Sequence, residues 1–133
     1  MKEYFSQLRV LERRISAMKV MIVEYARMGS SPSSPNYGVR VTKDIKTDAT
    51  FVYWALKQAE AEQQLQELEI QLAQKRQEVL ALIGALDNEE YQSLLAMRYL
   101  DGMQWENIAR KLHVSRRTVF RWHDEALKQL NHN

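Results

Sequence analysis

Between Tyr4 and Tyr25 the apolar positions recur in alternating steps of four and three: Tyr4, Leu8, Leu11, Ile15, Met18, Ile22 and Tyr25. That is an uninterrupted heptad seam, and it predicts a helix over about residues 2–28. Val10, Met21 and Val23 widen its apolar face, so the helix is expected to pack on more than one neighbour. Gly29 stands where a C-terminal stop is expected. A second seam runs through Trp54, Gln58, Ala61, Leu65, Leu68, Leu72, Lys75, Val79, Leu82 and Leu86, with Gln58 and Lys75 as its polar interruptions. Asp48 or Thr50 is placed to cap that helix. At a rise of ~1.5 Å per residue it would approach ~55 Å, too long for a compact monomer without a partner. Two such helices predict an antiparallel hairpin, a coiled coil assembled across a dimer.

Both prolines of the chain lie in "GSSPSSPNYG", residues 29–38, and this cluster is the one clear breaker. The segment 29–47 therefore reads as a connector, with "VRV" as a candidate for a short extended piece. After Gly84 the pattern shortens. "DNEEYQSLLAMRYLDG" is one helix, with Asp87 or Asn88 as its cap and the "DG" at 101–102 as a turn. "MQWENIARKL" sets Trp105, Ile108, Ala109 and Leu112 at helical spacing. "HVS" interrupts the pattern, and "RRTVFRWHDEALKQL" resumes it with Val119, Trp122, Ala126, Leu127 and Leu130 facing inward.

Two short helices separated by three or four residues predict a helix-turn-helix. Ala109 suits the close crossing, Val114 plugs the turn, and Ser115 caps the second helix. Arg116, Arg117, Phe120 and Arg121 are left outward, with Asp124 a candidate beside them. A guanidinium there can pair bidentately with guanine O6 and N7, or neutralise phosphate. Phe120 either touches a thymine methyl or covers the edge of the core. Trp105 and Trp122 read as core residues. The expected division is residues 1–86 for oligomerisation and 87–133 as a DNA-binding domain able to fold alone.

The net charge of +2 gives no global attraction to nucleic acid, so the local distribution decides. From Met103 to His123 five basic side chains (Arg110, Lys111, Arg116, Arg117, Arg121) stand against Glu106 alone, whereas from Phe51 to Leu86 five acids outnumber three bases. A basic head on an acidic stalk fits nucleic-acid contact. The absence of cysteine excludes disulfides and thiolate metal sites. His113, His123 and His132 lack metal-ligand spacing, and surface or turn positions are expected for them. Asp87, Glu89 and Glu90 are helix-start charges rather than a catalytic pair. Without a Gly-rich phosphate loop, and with Ser93 and Ser115 lacking a base at a telling spacing, no enzyme is expected and no cofactor. No secretory signal or membrane span is legible, which places the chain in the cytoplasm.

The segment "LLAMRYLDGMQWENIARKLHVSRRTVFRWHDEALKQL" resembles region four of bacterial primary sigma factors, the module that reads the promoter −35 element. The likeness lies in "RYLDGMQWENIA", "LHVSRRTV" and the closing "AL..L", over about residues 87–130. The whole chain is similar to small phage and prophage transcription regulators of Gram-positive bacteria, which carry a sigma-like module behind a helical half. The resemblance implies that Arg116, Arg117 and Arg121 touch bases and that Ser115 meets phosphate. Thr118 and Phe120, with Arg110 and Lys111 of the preceding helix, complete the expected contact set on double-stranded DNA. It also implies a docking contact with host RNA polymerase. Arg117 stands where primary sigma factors often have an acid, and Phe120 where they have a polar residue, so the −35 preference is not carried over. The expected function is a sequence-specific regulator acting as a homo-oligomer, a dimer first. Its rivals are a DNA-packaging protein like a small terminase subunit, and a helical scaffold that does not bind DNA.

Overall fold

The computed structural model describes residues 1–30 and 40–131, with side chains described at 1–30 and 49–131. The chain is all-α: helices α1 (Lys2–Ser30), α2 (Arg40–Gly84), α3 (Glu89–Leu95), α4 (Trp105–Leu112) and α5 (Arg116–Asn131), with no strand among the described residues. A π-helical turn, Ala96–Leu100, continues α3. None of these helices is long and apolar enough to cross a membrane.

Two helix boundaries differ from expectation. α2 starts at Arg40, so neither Asp48 nor Thr50 caps it, and residues 40–47 of the expected connector, including most of "VRV", are helical. No glycine or proline occurs between Arg40 and Ile83 to stop a helix once begun. Residues 31–39 of the connector lie outside the described residues. Gly29, the expected stop, sits inside α1. A Cβ added there would lie 3.4 Å from Cβ of Trp54, at the edge of ordinary van der Waals contact.

The chain divides into two compact units, Met1–Glu12 with Gln71–Asn133, and Arg13–Ile70. In the second unit, Tyr25 stacks on Trp54 with ring centroids 5.9 Å apart, so the end of α1 folds back on the early part of α2. Both seams face inward there. Ile15 and Ala61 are buried, and Met18, Ile22, Trp54, Gln58, Leu65 and Leu68 are half-buried. The apolar rows expected to be shared across a dimer are thus covered within one chain.

The other unit holds the three C-terminal helices, and its core does not stop at residue 87. Phe5 and Leu8 of α1 and Val79 and Ile83 of α2 join one buried cluster with Leu86, Leu94, Leu95, Ile108, Val119, Ala126 and Leu130. Phe5 is fully buried and stacks on Tyr99 at 5.0 Å. Trp105 and Trp122, expected in the core, pack against it from half-buried positions. Asn88 caps α3, its Oδ1 accepting from the amides of Glu90 and Tyr91 at 2.8 and 3.2 Å. The turn after the π-helical residues needs Gly102, whose φ is +71°; a Cβ there would collide with the Arg9 guanidinium.

His123 corrects another expectation. It is not at the surface but buried, its Nε2 2.6 Å from the Tyr99 hydroxyl, with Trp105 edge-on to the ring at 4.9 Å. Its phase on α5 matches that of Val119 and Leu127, and a hydroxyl partner satisfies it there. His132 lies outside the described residues. Burial lowers the His123 pKa, and the charges of Lys2 and Arg98 add to the shift, against the nearby Asp124 carboxylate at 3.7 Å from Nδ1.

A pH dependence follows. The folded pKa lies below the unfolded value of ~6.5, so the unfolded chain binds the proton first. Stability should therefore be flat above about pH 7 and fall as pH drops through ~6.5 towards the folded value. Glu78, whose pKa is lowered by the Tyr4 hydroxyl, loses its contribution only as pH falls below the ordinary carboxylate value of 4.5. Thermal melts of the wild type and His123→Gln between about pH 8 and 5 check this. The variant should start less stable and lose the near-neutral slope; an unchanged slope would assign it to other groups.

Candidate nucleic-acid interface

α4 presents its apolar residues to α5 and its cations to solvent. Ile108 and Ala109 are buried at the crossing, as the small side chain of Ala109 suggested, while Arg110 and Lys111 are exposed. The helix ends at His113, which adopts a left-handed conformation (φ 59°, ψ 40°). Its amide donates to the Arg110 carbonyl at 3.2 Å, and the Val114 amide donates to that of Ala109 at 3.0 Å. These bonds close the last carbonyls of α4 and reverse the chain. A residue other than glycine at such a φ carries strain.

Ser115 then starts α5. Its Oγ accepts from the Thr118 amide at 3.1 Å and lies 2.9 Å from the Thr118 hydroxyl. This is the cap read from the sequence, typically worth ~1 kcal/mol. The first turn of α5 carries Arg116 and Arg117 and no acid. A helix N-terminus bears about half a positive charge, so two cations there raise the local positive potential instead of relieving it.

The eight expected contact residues divide by their position. Arg117 and Arg121 are exposed one turn apart on the side of α5 away from the buried row. Arg116 and Phe120 flank that side towards α4. Arg116 Nη1 is 3.5 Å from Glu106 Oε1, and its guanidinium lies 5.9 Å from the Phe120 ring centre. Phe120 remains 40% exposed and packs edge-on against Trp105 at 5.2 Å, so it does both things the sequence left open: it covers the core edge and still shows a face to solvent. Trp105 also receives the Arg98 guanidinium over its ring, 4.4 Å from the ring centre. Arg110, His113 and Arg116 share a shallow depression with Glu106, Ala109 and Val114. Thr118 is half-buried, and Lys111 is exposed in the last turn of α4.

Sequence reasoning counted Glu106 only as the lone acid of a basic segment. It is the residue that holds Arg116 across the turn, in an exposed pair of the kind that contributes little to stability. Arg98, within the helix read from "DNEEYQSLLAMRYLDG", bears no mark of a role in the sequence. It braces the turn before α4, donating to the Met103 carbonyl at 3.0 Å while lying over Trp105. The separation of ten residues between Glu106 and Arg116 does not mark a pair until the turn is known.

Residues 28–131 match the DUF1492 family, described as proteins of unknown function. The chain belongs to that family. No curated protein and no solved structure matches it. The DUF1492 match takes in all eight of these residues, and also the Trp105, Phe120 and His123 cluster that supports them. Phe5 and Leu8, which complete the buried core beneath α4 and α5, lie outside it.

Proposed function

We propose that this DUF1492 chain binds double-stranded DNA with α4 and α5 acting as a helix-turn-helix, as a sequence-specific transcription regulator of phage or prophage type. The observation that carries the reading is the surface around the turn. Arg110, Lys111, Arg116, Arg117 and Arg121 are all exposed there, and two of them occupy a helix start where cations are electrostatically disfavoured. A polyanion offsets that cost, and an α-helix fits the width of a major groove. In this reading Arg117 and Arg121 face base edges. Arg116 exchanges Glu106 for the DNA, Phe120 meets a thymine methyl, and Arg110, Lys111, Ser115 and Thr118 approach phosphates. The protein works in the bacterial cytoplasm, self-associates, and makes a second contact with RNA polymerase.

Selection of bound sequences from a random duplex pool tests this. A single enriched motif is expected, with affinity falling linearly on a log–log salt plot by ~0.9 per phosphate neutralised. Enrichment of nothing, with no duplex binding at low salt, would refute the proposal. Salt-dependent binding without an enriched motif, by a ring-shaped assembly, would turn the reading towards DNA packaging.

A further inference from the structure

The part of α2 between Thr50 and Ile70 carries a second periodic row besides the one it turns inward. Val52, Leu56, Ala59, Gln63, Gln66 and Ile70 follow steps of four and three, and every one is exposed. They stand two residues out of step with Trp54, Gln58, Ala61, Leu65 and Leu68, which is ~200° round the helix. Five charged residues occur in this stretch, Lys57, Glu60, Glu62, Glu67 and Glu69, and none falls on the row. A helix face that only meets water is normally where the charges collect. Here it is charge-free, with Val52, Leu56 and Ile70 exposed at 53, 60 and 52% and the four glutamates set along its edges.

α1 offers the matching surface in the same unit. Arg13, Ser16, Val20, Val23 and Arg27 follow steps of three and four, and all are exposed. Val20 and Val23, at 63 and 65%, form the apolar centre. An arginine stands at each end, and Lys19 lies beside the row. Arg27 pairs with Glu24 at 2.8 Å within α1, an exposed contact that a stronger partner can displace.

We infer that the outer row of α2 receives a second copy of this chain, through the Val20–Val23 face of the partner copy's α1. Acidic edges disfavour pairing the α2 row with itself, because like charges across a helix seam repel. The arginine-bracketed face supplies both the apolar centre and the opposite charge. The contact deepens the self-association proposed above and needs no DNA. It joins two different surfaces, so each copy offers one of each, and assembly continues past a dimer until a ring closes or a filament grows.

Sedimentation of the full chain tests it. Wild type should form species larger than a dimer. Leu56→Glu with Ile70→Glu should give a monomer, and so should Val20→Glu with Val23→Glu, each with unchanged helicity because all four positions are exposed. Mixing the two variants should restore a 1:1 heterodimer and nothing larger, since one keeps only the α1 face and the other only the α2 row. Arg13→Glu with Arg27→Glu, which changes charge and leaves both valines in place, should weaken wild-type assembly about tenfold. A monomeric wild type would refute both self-association and this contact, as it would if the stripe served an unrelated protein. A wild type that assembles, but is insensitive to either paired substitution, would leave self-association standing and overturn the contact. So would two monomeric variants that fail to pair.

Discussion

Arg116→Ala and Arg121→Ala should each weaken binding to the selected DNA site by about 5- to 150-fold, the equivalent of ~1–3 kcal/mol, and relax specificity at one position. Helicity should not change, because both side chains are exposed and neither supports the core. The two losses differ in origin. Arg121 stands on the outward side of α5, and its removal deletes a contact and nothing else. Removing Arg116 also releases Glu106, whose carboxylate would then face the DNA unpaired, so this variant should lose more than Arg121→Ala at low salt. Lys111→Ala offers the contrast: a uniform loss across sequences with the salt slope reduced by ~1. Wild-type affinity in both arginine variants would refute α5 as the reading helix.

The second large effect lies far in sequence from the proposed DNA contacts. Phe5→Ala should destabilise the protein by ~3–5 kcal/mol, the usual range for emptying a fully buried phenylalanine site. Against a typical domain stability of ~5–15 kcal/mol this is a severe loss. The ring stacks on Tyr99, whose hydroxyl meets His123 in α5, so the cavity opens beside the contacts that hold α5. Urea unfolding should show it as a lower midpoint. A fragment of residues 87–133 takes the same damage further, since it lacks Phe5, Leu8, Val79 and Ile83 together. The sequence suggests that this fragment folds alone; the buried cluster leads us to expect weak helicity and no cooperative melt. A fragment with a sharp thermal transition would show that the borrowed residues are dispensable.

Periodicity carried most of the fold. The seam Tyr4–Tyr25 and the rows on α2 and α5 are buried or half-buried where spacing placed them, because a helix's phase is a local property and survives any tertiary arrangement. What spacing does not carry is which row meets which. Phe5 lies one step off the seam, yet it is among the best-buried of the described residues. The boundary at 86/87 followed a change of pattern at Gly84, whereas the packing unit is set by which apolar faces find each other. The start of α2 was missed for a different reason: the helix-capping residues Asp48 and Thr50 were mid-helix, and capping chemistry is legible only when the chain stops there. At the candidate interface the cap, the crossing alanine and the exposed arginines were readable from residue type and spacing. The Glu106–Arg116 pair and the burial of His123 were not, since both depend on the left-handed turn at His113 and the stacking around Trp105.

The stacking of Phe5 on Tyr99 has a further consequence for how the chain is made. Phe5 is synthesised ahead of the residues that cover it, and it must wait for residues up to Leu130 before its buried cluster is complete. At ~5–20 residues per second those 125 residues occupy roughly 6–25 s of translation. Throughout that time an aromatic and Leu8 stay without their native cover, on a nascent helix that can form early but cannot dock. Contacts this distant in sequence also slow folding relative to other small helical proteins, whose contacts are mostly local. For several seconds of every synthesis, α1 is an open apolar surface next to the ribosome, and α5, made long afterwards, is the helix that closes it.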